Sequence, residues 1–280
     1  MASARKNDGV KKIVNVVLRS RPFQVIQLAR KIGPAEFVRW TRLSGKKKYA
    51  MMQKQFYEAS AKRSEYGEKK VDYVVGSFDL HNAWKDYDTY LMRYVDKTYR
   101  NKLALDFGCG PGRSIIKYSR LFKRLDGIDI SRNNILNARR GLKKNRITNS
   151  KLYVNNGTDL RPLRDDTYDF VMSTICLQHI CVYDTRFSLL KDMYRVLKPG
   201  GRISLQMGFG TGSPATVPYY TNEYDAPTTN RGLDTAVESP DQIGGDLKKI
   251  GFTSYEYWIR PTGPGDVHKK WIFFTAVKPK

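Results

Sequence analysis

Residues 103–114 read LALDFGCGPGRS: an apolar run closes on a carboxylate, Asp106, and then on glycines at every second position, Gly108, Gly110 and Gly112. A glycine-rich turn after a strand lets backbone approach a ligand closely. The carboxylate restricts which ligand that is, because a phosphate set beside Asp106 would be repelled. The spacing agrees. A dinucleotide fingerprint needs G-x-G-x-x-G and a P-loop needs G-x-x-x-x-G-K-[ST], and the stretch contains neither. A cationic ligand suits it.

Working outward, the chain after residue 71 alternates strand and helix patterns. KLALDF reads as a buried strand, followed by a helix over 111–122; RLDGIDI is a second strand, and SRNNILNARRGLKKN a helix with Ser131 as N-cap. KLYVNN, YDFVMST and RISLQM read as strands three to five. TRFSLLKDMYRVLKPGG and SPDQIGGDLKKIG are amphipathic helices, and TSYEYWIR and KWIFFTAV are two late strands. The pattern predicts an α/β fold with a Rossmann-like, seven-stranded, mostly parallel sheet and helices on both faces. In such sheets the ligand crevice lies at the carboxyl ends of the strands, which is where the glycine turn sits.

The chain has 280 residues, 40% hydrophobic and 28% charged, with a net charge of +23. That charge points to a polyanionic partner: nucleic acid, an anionic membrane surface or a phosphorylated substrate. Residues 1–70 hold 18 Lys and Arg against 5 Asp and Glu, so +13 lies in the first quarter. This basic N-terminal segment, 1–70, is expected to be helical in pieces and appended to a domain over 71–280. The longest uncharged run, 203–222, is broken by three glycines and two prolines, so no membrane span is expected. The three cysteines, Cys109, Cys176 and Cys181, offer no disulfide framework, and a reducing, cytoplasmic location follows as an expectation.

S-adenosylmethionine carries both an ammonium and a sulfonium and would suit Asp106. A ribose diol then needs an acidic acceptor at the end of the second strand. Asp129, 17 residues after Gly112, meets that test. From about residue 78 onward the sequence resembles the class I S-adenosylmethionine-dependent methyltransferases. LDFGCGPG resembles their first motif, GIDIS their second, NNGTDLRPLRDDTYDFVMS their third strand, adenine loop and fourth strand, and YRVLKPGGRISLQ the helix, turn and fifth strand that follow.

The resemblance implies S-adenosylmethionine as cofactor and assigns it Asp106, Gly108, Gly110, Gly112, Asp129, Ile130 and Thr174, with Gly157, Thr158 and Asp159 in the adenine loop. Many relatives carry Gly-Asp-Ala in that loop. Here Gly157 stands where their Asp is expected, so either Asp159 supplies the carboxylate or backbone N–H groups of Gly157 and Thr158 read the adenine. No metal is expected. The residues after the fourth strand face the methyl group in this fold, and His179 stands there as a candidate base; a helix-capping or core histidine is the alternative. His81, Trp84 and Tyr87, in 77–91, form either a lid or a packed amphipathic helix. The insertion at about 209–238 offers Tyr219, Tyr220 and Asp225, with Gln178, as a polar aromatic acceptor site; Asp266 and His268, between the two late strands, either join it or belong to a tight turn.

The leading expectation is O-methylation of a small molecule or glycan. One alternative is RNA methylation using the basic segment, and another is a cofactor-binding protein without turnover and with a membrane- or nucleic-acid-binding arm. Phe23, Phe37 and Trp40, interleaved with Arg and Lys, fit a helix pair on an anionic membrane, while a basic lid packed on the catalytic domain explains the same residues.

Overall fold

The computed structural model describes residues 25–26, 29–30, 33–63, 85–210, 216–224, 234–261, 268 and 270–280. The glycine turn joins strand β1 (Leu103–Phe107) to helix α3 (Arg113–Tyr118), ahead of which lie α1 (Pro34–Thr41) and α2 (Gly45–Arg63). The predicted helix over 111–122 is shorter than expected, because a 3-10 turn, Ser119–Leu121, follows α3. The chain continues through β2 (Arg124–Asp129), α4 (Arg132–Lys144), β3 (Leu152–Val154), β4 (Tyr168–Ser173), α5 (Tyr183–Val196) and β5 (Leu197–Phe209). The short strands β6 (Thr216–Val217) and β7 (Asp234–Thr235) pair with each other, and α6 (Pro240–Ile250), β8 (Thr253–Pro261) and β9 (Lys270–Val277) complete the order.

One sheet holds seven strands in the order β3-β2-β1-β4-β5-β9-β8. Only β9 runs against its neighbours. After β3 the chain crosses to the other side of β1, so β1 and β4 form the switch point where a crevice must open. Because successive strand residues face opposite sides, the sheet has two cores. Leu105, Val171, Ile203 and Phe274 face α5 and α6 through Leu189, Met193, Ile243 and Leu247. Ala104, Phe170, Met172 and Phe273 face α3 and α4 through Ile115, Tyr118 and Ile135.

Among the described residues no helix is long and apolar enough to cross a membrane. Of the 77–91 stretch, His81 and Trp84 lie outside the described residues. Tyr87 is buried in a single π turn, Tyr87–Leu91, with its ring 6.3 Å from that of Phe273. Phe23 also lies outside the described residues. Trp40 is buried and stacks on Phe37 at 5.6 Å.

Helix α2 docks on the sheet domain through one carboxylate. Glu58 accepts hydrogen bonds from Ser131 Oγ (3.0 Å), Arg132 N (2.8 Å) and Asn133 N (3.0 Å), and so caps the N-terminus of α4 from outside. Those N–H groups have no partner within their own helix, and a carboxylate also complements the helix dipole there. Nearby, Asn137 Nδ2 donates to Ala61 O at 3.2 Å. Glu58→Ala is expected to cost about 1–2 kcal/mol, the range for a lost cap. Urea unfolding reads that loss, and hydrogen exchange is expected to speed up first in α2.

Candidate active site

The carboxyl ends of β1, β2 and β4 and the inner face of α2 enclose a cavity of about 310 Å³. Its floor is the glycine turn. Gly108, Gly110 and Gly112 have φ of 70, 51 and 85°, the left-handed region that favours glycine. A Cβ on Gly108 would lie 2.2 Å from Cys176 Sγ, whereas one on Gly110 would meet nothing within 4 Å. The first glycine is thus needed for packing, and the second leaves an open cradle on the cavity side. Gly112 starts α3 and does not line the cavity.

Two carboxylates stand at this floor in contrasting states. Asp129 Oδ2 accepts from Gly110 N at 2.9 Å, and Oδ1 accepts from Ser131 N at 2.8 Å and Asn134 Nδ2 at 3.3 Å. Burial pushes its pKa up, and these donors oppose the rise. Oδ2, with a single donor, keeps lone-pair capacity for another. Asp106 is 2% exposed, and its Oδ2 is buried with no hydrogen-bond partner among the described residues. Burial pushes Asp106 up to about 8, with Arg113 opposing and Asp129 reinforcing the shift. A buried acidic oxygen beside an open cradle fits a cationic group.

The adenine loop differs from expectation. Gly157 lines the cavity beside Ile130, but Thr158 and Asp159 do not. Asn156 Oδ1 takes the Thr158 and Asp159 N–H groups at 2.8 and 3.0 Å, and Arg161 Nε holds the Asp159 carboxylate at 2.8 Å. The Thr158 N–H and the Asp159 carboxylate are thus engaged within the loop, and of the groups in the two expected readings Gly157 is the one that lines the cavity. Asn155, which the sequence reading missed, lines the cavity with its Oδ1 buried and without a partner among the described residues. Its position directly after β3 was the available signal.

On the opposite wall, Thr174, Ile175 and Cys176 follow β4. Ile175 has φ of 48°, a costly conformation for a β-branched residue. That turn delivers His179 to the cavity at the end of a 3-10 turn, Leu177–His179. His179 Nδ1 lies 2.6 Å from Asp234 Oδ1, and Asp234 Oδ2 lies 2.8 Å from His268 Nε2. Burial would raise Asp234, but the two imidazoles, His179 first, hold it well below the ordinary carboxylate range.

The roof is α2. Tyr49, Gln53, Phe56, Tyr57, Ser60 and Ala61 line the cavity at spacings of three and four, one helical stripe. Gln53 Nε2 donates to His179 O at 2.8 Å, and Tyr49 Oη accepts from Cys181 N at 2.8 Å. Of the alternatives for residues 1–70, packing on the catalytic domain is what α2 does.

Of the remaining acceptor-site candidates, Gln178, Tyr219 and Tyr220 are not brought to the cavity. Gln178 is fully buried beneath the turn. Tyr219 is buried against Arg186 and donates to Asp246 Oδ2 at 3.0 Å, while Tyr220 is 50% exposed. Asn222 and Tyr224 hold Asp184 at 2.9 and 2.6 Å, so this part of the insertion braces the start of α5. Asp225 and Asp266 lie outside the described residues. Cys109 and Cys176 line the cavity, and burial raises both thiols, which leaves them poor nucleophiles. Among the described residues no group of His, Cys, Asp and Glu is arranged to hold a metal ion.

Residues 105–205 match the family described as a methyltransferase domain. A ubiquinone/menaquinone biosynthesis C-methyltransferase, UbiE, of Escherichia coli (strain K12 / DH10B) is 30% identical over 215 residues, covering 70% of this chain and 83% of that protein. The chain belongs to the class I S-adenosylmethionine-dependent methyltransferases. A demethylmenaquinone methyltransferase of Geobacillus sp. (strain WCH70) is 32% identical over 130 residues, and the chain spans only about half of that relative's length (52%). The fold is shared with geranyl diphosphate C-methyltransferase from Streptomyces coelicolor A3(2), at a TM-score of 0.57 and 14% identity over 82% of this chain and 98% of that one. It is also shared with a Haemonchus contortus phosphoethanolamine N-methyltransferase, at 0.55 and 20% identity over 70% and 53%.

As a methyltransferase the protein uses S-adenosylmethionine, and the cavity fits it: an unpartnered buried carboxyl oxygen, an open glycine cradle and a second carboxylate at the end of β2. We propose that the cofactor's ammonium rests against Asp106 and its ribose diol on Asp129. Asp106, largely protonated at pH 7 in the free protein, then ionises beside the new cation. Calorimetry in two buffers of different ionisation enthalpy is expected to show about one proton released on binding at pH 7, and none from Asp106→Asn.

Proposed function

We propose that this methyltransferase transfers its methyl group to a ring carbon of a small hydroxylated aromatic acceptor, with His179 as the base. The observation that carries this reading is that His179 lines the same cavity as Asp106 and Asp129, together with Phe56, Tyr57, Ile180 and Leu189. An apolar, aromatic lining suits a planar acceptor, and one imidazole suits the removal of one hydroxyl proton. The relatives' names support carbon as the methylated atom: those from E. coli and Proteus mirabilis are C-methyltransferases of ubiquinone and menaquinone biosynthesis. O-methylation of a small molecule or glycan uses the same base on the same hydroxyl and differs in which atom is alkylated.

When bound, S-adenosylmethionine supplies an electrophilic methyl on a positively charged sulfur. His179 accepts the acceptor's hydroxyl proton through Nε2, since Nδ1 faces Asp234. The oxygen's electron pair then enriches the adjacent ring carbon, which takes the methyl. The S–C bond breaks with its electron pair left on sulfur. His179 then returns its proton to the oxygen and, neutral again, takes the proton of the methylated carbon and passes it to solvent, so one proton leaves overall. Phe56 and Tyr57 on α2 keep water from the site and hold the acceptor in line, the main contribution an enzyme makes to such a displacement.

His179→Ala is expected to cut turnover about 10²–10⁴-fold on a demethylated hydroquinone while leaving cofactor affinity intact. With methyl-labelled cofactor, the label is expected on carbon and to survive ether cleavage. A labelled methyl ether would return the reading to O-methylation, and full turnover by the variant would remove His179 as the base.

The outer side of the α1–α2 roof supports contact with an anionic membrane, the source of an apolar acceptor. Ile26, ahead of α1, and Val38, on α1, are 50% and 48% exposed, and Arg30, Arg39, Arg42 and Lys47 in the same stretch of chain are exposed as well. Each basic side chain near such a surface adds about 1 kcal/mol. The protein is expected to sediment with anionic vesicles, and Arg39→Glu, Arg42→Glu and Lys47→Glu together to weaken this about 100-fold. Equal sedimentation of the two proteins would remove the membrane role.

A further inference from the structure

Two histidines and one carboxylate come from segments far apart in the chain and meet at the carboxylate. His179 follows β4, Asp234 opens β7 in the insertion, and His268 lies between β8 and β9. The side chain of Asp234 is 5% exposed and that of His268 is 1% exposed. Among the described residues the ion-pair partners of Asp234 are these two histidines, and no lysine or arginine pairs with it.

Hydrogen bonding dictates what such a carboxylate does to its neighbours. An ionised carboxylate only accepts, so each ring nitrogen facing it must carry the proton. His179 is thereby held with a proton on Nδ1, so that in the neutral ring Nε2 is the nitrogen left to accept one. His268 is likewise held as the Nε2–H tautomer, and its Nδ1 is buried without a partner among the described residues. His268 is itself tightly seated. A Cβ on Gly208 would lie 2.2 Å from its Nδ1, and its ring meets Trp271 edge-on at 4.8 Å. The cluster is not a metal centre, because the nitrogens that face the carboxylate are already bonded to it.

We propose that Asp234 and His268 are positioning residues for methyl transfer: His268 anchors the Asp234 carboxylate, and Asp234 locks His179 in the one tautomer that can take a proton from the acceptor. The buried carboxylate also balances the charge that His179 gains when it does so. This inference rests on the proposed role of His179 as base. The other titratable groups lining the cavity are Tyr49 and Tyr57 from α2, Cys109 from the glycine turn, Arg113 from the start of α3, Cys176 from the loop after β4, and the floor carboxylates Asp106 and Asp129. The one cation among them, Arg113, acts on Asp106 and Tyr87, whereas the charges that hold Asp234 down are those of the two histidines.

The test needs no acceptor in its first arm. The full-length protein has only three histidines, so ¹⁵N NMR of labelled imidazoles resolves each. Wild-type His179 is expected as the Nδ1–H tautomer, and Asp234→Asn is expected to abolish that preference while S-adenosylmethionine binding stays within about twofold. In the second arm Asp234→Asn is expected to lower kcat on the order of 10²-fold with little change in KM. Asp234→Glu is expected to restore part of it, and His268→Gln, which keeps an N–H donor, to lose less than His268→Leu. A wild-type His179 protonated at Nε2, or Asp234→Asn with kcat within twofold of wild type, would overturn the proposal. The acceptor reading fails separately, through a hydroquinone that is not methylated while the tautomer behaves as described.

Discussion

The buried carboxylate of Asp129 joins two turns that would otherwise be independent. It takes the Gly110 N–H from the turn after β1 and the Ser131 N–H from the turn after β2. Charge-assisted bonds of this kind are about twice as strong as neutral ones, and here they lie in a site with little water to compete. They set the separation of two adjacent strand ends and hence the width of the cavity floor. The left-handed glycines are a consequence: only backbone that curls back at Gly108 and Gly110 brings an N–H to the carboxylate while leaving a cradle open above it.

Helix α2 uses that floor as its seat. Ser131 sits two residues past Asp129, and its hydroxyl bonds Glu58. At the other end of the same helix, Tyr49 and Gln53 bond the turn that carries His179. One helix therefore touches both the side expected to hold the cofactor and the side expected to deprotonate the acceptor. Loosening either contact would shift His179 relative to the floor. In a reaction governed by alignment, displacements below an ångström matter.

The sequence was legible wherever chemistry and chain proximity coincide. Asp106, the glycines and Asp129 belong to one strand–turn–helix–strand unit, so their spacing alone restricted the ligand. His179 was legible because it follows β4 directly. Asp234 was not: it meets His179 and His268 across 55 and 34 residues, from a segment without periodicity, and His268 was offered only as an acceptor-site or tight-turn residue. Tyr219 and Tyr220 misled because adjacent residues face different surroundings, one under Arg186 and the other in water. The inner stripe of α2 was hidden by its own lysines. Lys46, Lys47 and Lys48 made the segment stand out as basic, although Tyr49, Gln53 and Phe56 recur at helical spacing.

The interior and exterior of this methyltransferase have opposite electrostatic character. The chain carries +23, yet three carboxylates, Asp106, Asp129 and Asp234, line the cavity against one guanidinium, that of Arg113. Charges separated by more than about 8 Å of physiological salt solution scarcely interact, whereas those in a buried cavity do. The basic roof can therefore attract a polyanionic surface without drawing phosphates into the site. The cavity in turn favours a sulfonium cofactor over the anionic nucleotides that similar sheets bind. The glycine turn alone does not make that distinction. Asp106 does, since it places an acidic group where a nucleotide-binding turn leaves room for phosphate.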